Sequence, residues 1–176
     1  PVDFETLVDS PMFAGAHMKT YELDPGAAEP VRLNVVAGAA KFLEAKPQHL
    51  PPHRALVDEA YALFGAQHYD HYDFLFALTE QMGGIGLEHH RSSENALGTD
   101  YFTGWDPKKG SSDLLGHEFV HSWNGKFRRG ADLVTPHYNT PMQDSLLWVY
   151  EGQTQYWGQV LTARAGLKTA AQARDA

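Results

Sequence analysis

Apolar and polar positions divide the chain into segments whose spacing predicts most of its elements. Phe4, Leu7 and Val8 fit a short helix or turn ahead of Pro11 and Gly15. Thr20 to Leu23 predicts a strand ended by the turn signal Asp24-Pro25-Gly26. Val31, Leu33 and Val35 alternate with polar neighbours and predict a second strand, closed by Gly38. Ala55, Leu56, Ala60 and Leu63 recur at helical spacing between Arg54 and Phe64, and Gly65 stops them. Tyr72 to Thr79 is an almost unbroken aromatic and aliphatic run, the pattern of an interior strand. The glycine-rich Met82 to Glu88 reads most plainly as a surface loop, and it lacks the Lys-Ser/Thr ending of a phosphate loop. Asn95 to Gly110 reads as loop with one short strand at Tyr101-Phe102.

The second half is patterned for helices. Leu115, Phe119 and Trp123 form an apolar stripe, with Ser111, Ser112 and Asp113 as N-cap candidates and Asn124-Gly125 as a stop. Lys126 to Asn139 has no periodicity, and Phe127, Leu133 and Val134 are its candidate anchors. Thr140-Pro141-Met142-Gln143 reads as a capping box opening a helix to Ala165, with Leu147, Val149, Trp157 and Leu161 inward. That helix either runs through or breaks near Gly152. The Ala-rich tail from Lys168 predicts the start of another helix. The layout is one domain, sheet-rich over 1–110 and helical over 111–176.

Composition narrows the function. A chain of 176 residues is long enough to bury a substantial core in a single domain. A formal net charge of -8 argues against a nucleic-acid partner, which calls for a basic face. No run approaches the ~20 apolar residues that span a bilayer. The absence of cysteine excludes disulfides, thiolate metal ligation and thiol catalysis. The start at Pro1, without Met or a signal-like segment, leads us to expect an excised or processed piece, and it leaves the compartment open.

The strongest chemistry lies in Gly116-His117-Glu118-Phe119-Val120-His121-Ser122-Trp123-Asn124-Gly125. Histidines four apart share one face of a helix, so His117 and His121 can reach one metal ion, with Glu118 near enough to hold a water. The plainer alternative is a helix with two buried, hydrogen-bonded histidines. A catalytic zinc ordinarily takes three protein ligands, and without cysteine the third must be His or carboxylate. Glu151, in Leu147-Trp148-Val149-Tyr150-Glu151-Gly152, is the candidate, since a carboxylate buried among such neighbours needs a cation. Asn124, Thr154 and Gln155 are candidates to hydrogen-bond the ligating imidazoles from outside. The remaining histidines show no second ligand spacing. His68 and His71 read as a polar loop, and His89 and His90 as surface or packing residues with a binding role as the alternative.

His-Glu-Phe-Val-His-Ser-Trp-Asn, then Leu-Trp-Val-Tyr-Glu-Gly, preceded by Gly-Gly-Ile-Gly-Leu-Glu-His, resembles the glycyl aminopeptidase family of gluzincin metallopeptidases. Leu7-Val8-Asp9-Ser10-Pro11 and Leu63-Phe64-Gly65 are also similar to that family. The resemblance implies an α+β, thermolysin-like catalytic domain in which a mixed β-sheet is followed by zinc-binding helices. It implies one zinc ion held by His117, His121 and Glu151, with Glu118 as general base. Glu88 corresponds to the acidic residue that related aminopeptidases use to hold the substrate's free α-amine, and Gly86, in the same segment, is the companion substrate-binding candidate. The expected partner is a peptide with a free N-terminus, of Gly or Ala type. Flanking domains of a longer chain, a PDZ domain among them, are expected to be missing. Gln153 and Arg91 depart from the family's usual residues and bear on substrate preference. The transition-state tyrosine of related enzymes is expected beyond residue 176, with Tyr101, Tyr138, Tyr150 and Tyr156 read as packing. An endopeptidase of the same fold, or a zinc- or peptide-binding module without turnover, are the alternatives.

Overall fold

Strands β1 (Met18–Glu22), β2 (Val31–Ala37), β3 (Tyr72–Leu78), β4 (Ile85–Glu88) and β5 (Ser92–Leu97) form one mixed sheet in the order β1-β2-β3-β5-β4. The structure is a computed structural model and describes residues 2–105 and 113–175. β1 with β2 and β4 with β5 are antiparallel, while β2, β3 and β5 run parallel. Tyr72, Phe74, Phe76 and Leu78 alternate along central β3 and are fully buried, as are Val31, Leu33 and Val35 on β2. Parallel β2 and β3 need a crossover, and helix α2 (Leu50–Phe64) supplies it. Pro51 and Pro52 sit in its first turn, where no N–H partner is required, and Gly65 closes it at φ +70 with its N–H on Tyr61 O.

Helices α3 (Leu114–His121), α4 (Thr154–Arg164) and α5 (Ala170–Arg174) follow the sheet. α3 turns its apolar stripe onto β3: the Phe119 ring centre lies 4.8 Å from that of Tyr72 and 5.2 Å from that of Phe74. Trp123 continues the stripe and stacks on Phe64 at 4.6 Å. Truncating a fully buried ring such as Phe119 costs about 3–5 kcal/mol, so this contact fixes α3 against the sheet. On its other side α3 meets α4 backbone to backbone. A β-carbon on Gly116 would stand 2.9 Å from Gly158 O, and one on Gly158 would stand 2.9 Å from the His117 backbone. Two glycines thereby let the helices approach closely just where the histidines begin.

Several expectations are corrected. Asn95–Leu97, expected to open a loop, are the end of β5, which begins at Ser92; its polar Ser93 and Asn95 are buried, with Asn95 Nδ2 within bonding distance of Ser93 O, Ser93 Oγ and Leu75 O. Tyr101-Phe102 is a turn, and Phe102 packs on the His49 ring instead of joining the sheet. The glycine-rich stretch is loop over 82–84, but from Ile85 it carries edge strand β4. No helix opens at Pro141: residues 141–144 are irregular, and the next helical segment is a π-helix, Trp148–Gln153, running directly into α4. Leu147 is accordingly exposed, while Leu161 is buried as expected. Leu133 anchors the 126–139 excursion, but Phe127 and Val134 are exposed. Of the three N-cap candidates, Ser111 and Ser112 lie outside the described residues. Asp113 stands at the N-cap without a side-chain capping bond, its carboxylate accepting instead from Gln155.

Candidate metal centre

One face of α3 carries His117 and His121, whose Nε2 atoms stand 3.1 Å apart. Glu151 Oε2, from the π-helix, is 3.4 Å from each of them. This near-equilateral triangle has the dimensions of one face of a zinc tetrahedron, since ligands at about 2.0–2.1 Å from the ion stand about 3.3–3.4 Å from one another. The donor set also fits in its chemistry, being two imidazoles and one carboxylate.

Outer hydrogen bonds turn the rings. His121 Nδ1 lies 3.1 Å from Asn124 O, which can only accept, so the proton sits on Nδ1 and the Nε2 lone pair faces Glu151. His117 Nδ1 is 2.9 Å from Gln155 Oε1, and the Gln155 amide donates in turn to Asp113 Oδ2 at 2.6 Å. Thr154 Oγ1 approaches His121 Nδ1 less closely, at 3.4 Å. Asn124 plays a different part from the one expected of it. Its backbone oxygen meets the imidazole, while its side chain donates to Val149 O at 2.8 Å and Thr154 Oγ1 at 3.0 Å. It thus ties the loop leaving His121 to the π-helix bearing Glu151. π-turns are rare in themselves and concentrate at functional sites.

The need for a cation rests on a different carboxylate from the one expected. Glu151 is half exposed, at 49%, and Trp148 beside it is exposed, so Glu151 is not buried among apolar neighbours. Glu118 is the buried one, at 4%, and among the described residues its Oε2 has no hydrogen-bond partner. Burial first, then the facing carboxylates of Glu88 and Glu151, push Glu118 up to about 8. Three carboxylates crowding two imidazoles, one with an orphaned oxygen, are the arrangement a divalent cation relieves. Gly86 runs close by: a β-carbon there would stand 2.1 Å from Glu118 Oε1 and 2.6 Å from Leu114 Cδ1. Any side chain at position 86 would therefore displace the Glu118 carboxyl and the Leu114 side chain.

Glu88, at the end of β4, completes the group. Glu88, Glu118 and His121 each offer a ligand atom within 4.8 Å of the others. Burial would raise the Glu88 carboxyl, but a hydrogen bond from the Tyr150 hydroxyl and the His121 imidazole outweigh it and hold the carboxyl low. Tyr150, expected only to pack, does more. Its ring lies 4.7 Å from that of His121, and its hydroxyl is on Glu88. In the sequence, only its adjacency to Glu151 signals this. A cleft of about 220 Å³ opens on the site, lined by Gly86, Asp113, Leu114, His117, Glu118 and Gln155. All six candidate site residues therefore come together, joined by Tyr150.

Comparison with known proteins agrees with the fold and narrows the family. Residues 111–176 match the family model of M61 glycyl aminopeptidases. A crystal structure of an aminopeptidase N family protein from Idiomarina loihiensis superposes with a TM-score of 0.63 over 85% of this chain, at 19% identity. The chain spans 26% of that protein's length. No curated protein sequence matches. The segment that bears His117, Glu118, His121 and Glu151 is thus similar to the M61 glycyl aminopeptidase family.

Proposed function

We propose that this chain forms the core of a zinc-dependent aminopeptidase with a thermolysin-like arrangement, hydrolysing the first peptide bond of substrates with a small N-terminal residue such as Gly or Ala. The observation that carries the reading is the triangle of His117 Nε2, His121 Nε2 and Glu151 Oε2 beside the buried, unpaired Glu118. Zinc held by those three side chains would supply Lewis acidity, polarising the scissile carbonyl and making water acidic enough to ionise near neutral pH. Glu118 takes the proton of the attacking water and returns it to the departing amine. A neighbouring cation favours its ionised form, reversing the upward push of burial and the facing carboxylates.

Glu88 receives the substrate's α-ammonium. Its carboxyl is held ionised by the Tyr150 hydroxyl, and its distance from Glu118 and His121 suits a group one residue from the scissile bond. Edge strand β4 offers unpaired backbone groups to an extended peptide, with Gly86 leaving room beside Glu118.

The test is hydrolysis of alanyl and glycyl chromogenic amides by metal-loaded protein, alongside the same substrates acetylated on the amine. Cleavage of free-amine substrates alone is expected. Cleavage of the acetylated ones at equal rates would make the chain an endopeptidase. Stoichiometric zinc without turnover would reduce it to a binding module.

A further inference from the structure

The mechanism leaves unused a polar cluster behind Glu88. Asp9 caps the C-terminus of helix α1 (Phe4–Val8), a helix that buries none of its residues and leaves Phe4, Leu7 and Val8 exposed. A cleft of about 310 Å³ lies between this N-terminal arm and the sheet. Apolar packing therefore does not seat the arm, and Asp9 supplies the contact.

Asp9 Oδ1 lies 3.1 Å from His89 Nδ1, and Oδ2 accepts from the His90 N–H at 3.2 Å and meets His90 Nδ1 at 2.7 Å. These residues begin the turn from β4 to β5, directly after Glu88. His89 is held at its other nitrogen by Glu94 Oε2, at 3.3 Å. An imidazole between two carboxylates donates at both nitrogens only when protonated. In agreement, although burial opposes it, Asp9 and Glu94 raise the His89 pKa. From the opposite side Lys126 Nζ comes within 3.6 Å of Asp9 Oδ1. Lys126 lies in the loop that leaves α3, and its N–H donates to His121 O at 3.0 Å.

We propose that Asp9 is a positioning residue for recognition of the substrate amine. One carboxylate clamps the hairpin that presents Glu88 to the loop that leaves His121, and so sets the distance between amine anchor and metal centre. The inference rests on the reading of Glu88 given above. It also accounts for the exposed N-terminal arm, which carries a carboxylate across to the outer wall of the site.

The experiment is a double-mutant cycle of Asp9→Asn and Glu88→Gln in the metal-loaded, full-length protein, read as KM and kcat on an alanyl amide. Asp9→Asn is expected to raise KM about tenfold with kcat changed less than threefold, and to add nothing once Glu88 is Gln. An unchanged KM, a loss confined to kcat, or full additivity with Glu88→Gln would overturn the proposal. A Glu88→Gln variant with unchanged KM would instead remove the reading beneath it, and the proposal with it. A readout independent of turnover is hydrogen exchange at the His89 and Lys126 amides, which donate to Ser92 O and His121 O. Both are expected to exchange faster in Asp9→Asn while the amides of β3 do not. Uniform acceleration across the sheet, or none, overturns it. Should Asp9→Asn fail to fold, His89→Gln and Lys126→Met each cut one leg of the clamp and are expected to raise KM in the same way, with an unchanged KM in both overturning it.

Discussion

Gly158 lies against the backbone of His117: a β-carbon on the glycine would stand 2.9 Å from both the His117 Cα and its N. The α3–α4 crossing distance is thus fixed at the first metal-ligand candidate. Gly158→Ala must push α4 away from α3, and overpacking of this kind costs about 1–3 kcal/mol. Because α4 continues the segment that holds Glu151, zinc affinity should fall along with stability. Denaturant melts and zinc titration check this. A variant of unchanged midpoint and affinity would show that the crossing is slack.

Glu118→Gln separates chemistry from binding. It removes the buried ionisable group and touches none of the three ligand atoms, so zinc should remain bound in equal stoichiometry. Turnover should fall about 10²–10⁴-fold, the range attributed to a general base. Glu151→Gln should lose metal and activity together. Metal analysis on both variants, with rates on an alanyl amide, decides. Full activity in Glu118→Gln would remove that residue from the proton transfer.

The bond from Gln155 to His117 should show in metal affinity. Gln155→Leu takes the acceptor from His117 Nδ1 and the donor from Asp113. Loss of such an outer contact typically weakens zinc binding about 10–100-fold. Competition with a coloured chelator measures it, and an unaltered dissociation constant would mean that the imidazole is oriented by α3 alone.

His53 sets a pH dependence of stability. It is wholly buried, with Nδ1 2.6 Å from His49 O and Nε2 2.7 Å from the Tyr101 hydroxyl. Burial, the leading cause, pushes its pKa down to about 4. Since the unfolded chain takes up this proton near pH 6.5, the stabilisation is complete above that pH and is lost as pH falls towards 4. The loss amounts to roughly 3 kcal/mol. Urea unfolding of the metal-free protein at about pH 7 and about pH 4.5, set against His53→Gln, isolates this slope. Equal slopes in the two proteins would assign the acid sensitivity elsewhere.

Periodicity makes the interior legible. β2, α2 and β3 each have one apolar period, and their boundaries fall within a few residues of the patterned segments. β5 escapes because Ser92 to Asn95 are polar and carry no apolar alternation; the burial of Ser93 and Asn95 goes with Asn95 Nδ2 bonding to Ser93 and to Leu75 O on β3, which no local pattern encodes. The π-helix escapes for a related reason. Leu147 and Val149 suggest an inward face, yet Leu147 is exposed and Val149 only half-buried, and what holds the turn is Asn124, far away in sequence. At the site, the spacing of His117 and His121 is readable because one helix sets it. Glu151 does stand beside the histidines, but the burial that singles it out in the sequence belongs to Glu118. Tyr150, Gly158 and Asp9 act across elements, where sequence spacing carries no information.

The turn that carries Glu151 is one residue wider than an α-turn, and that extra residue has a consequence for how such a site is gained or lost. Excising a single residue between Trp148 and Gln153 would let the segment relax into regular helix, rotating everything upstream by about 100° relative to α4. The carboxylate would swing off the two imidazoles while both histidines and the glycine crossing stayed in place. A one-residue deletion that spares Glu151 and leaves the His117-Glu118-His121 helix untouched is therefore enough to undo the triangle.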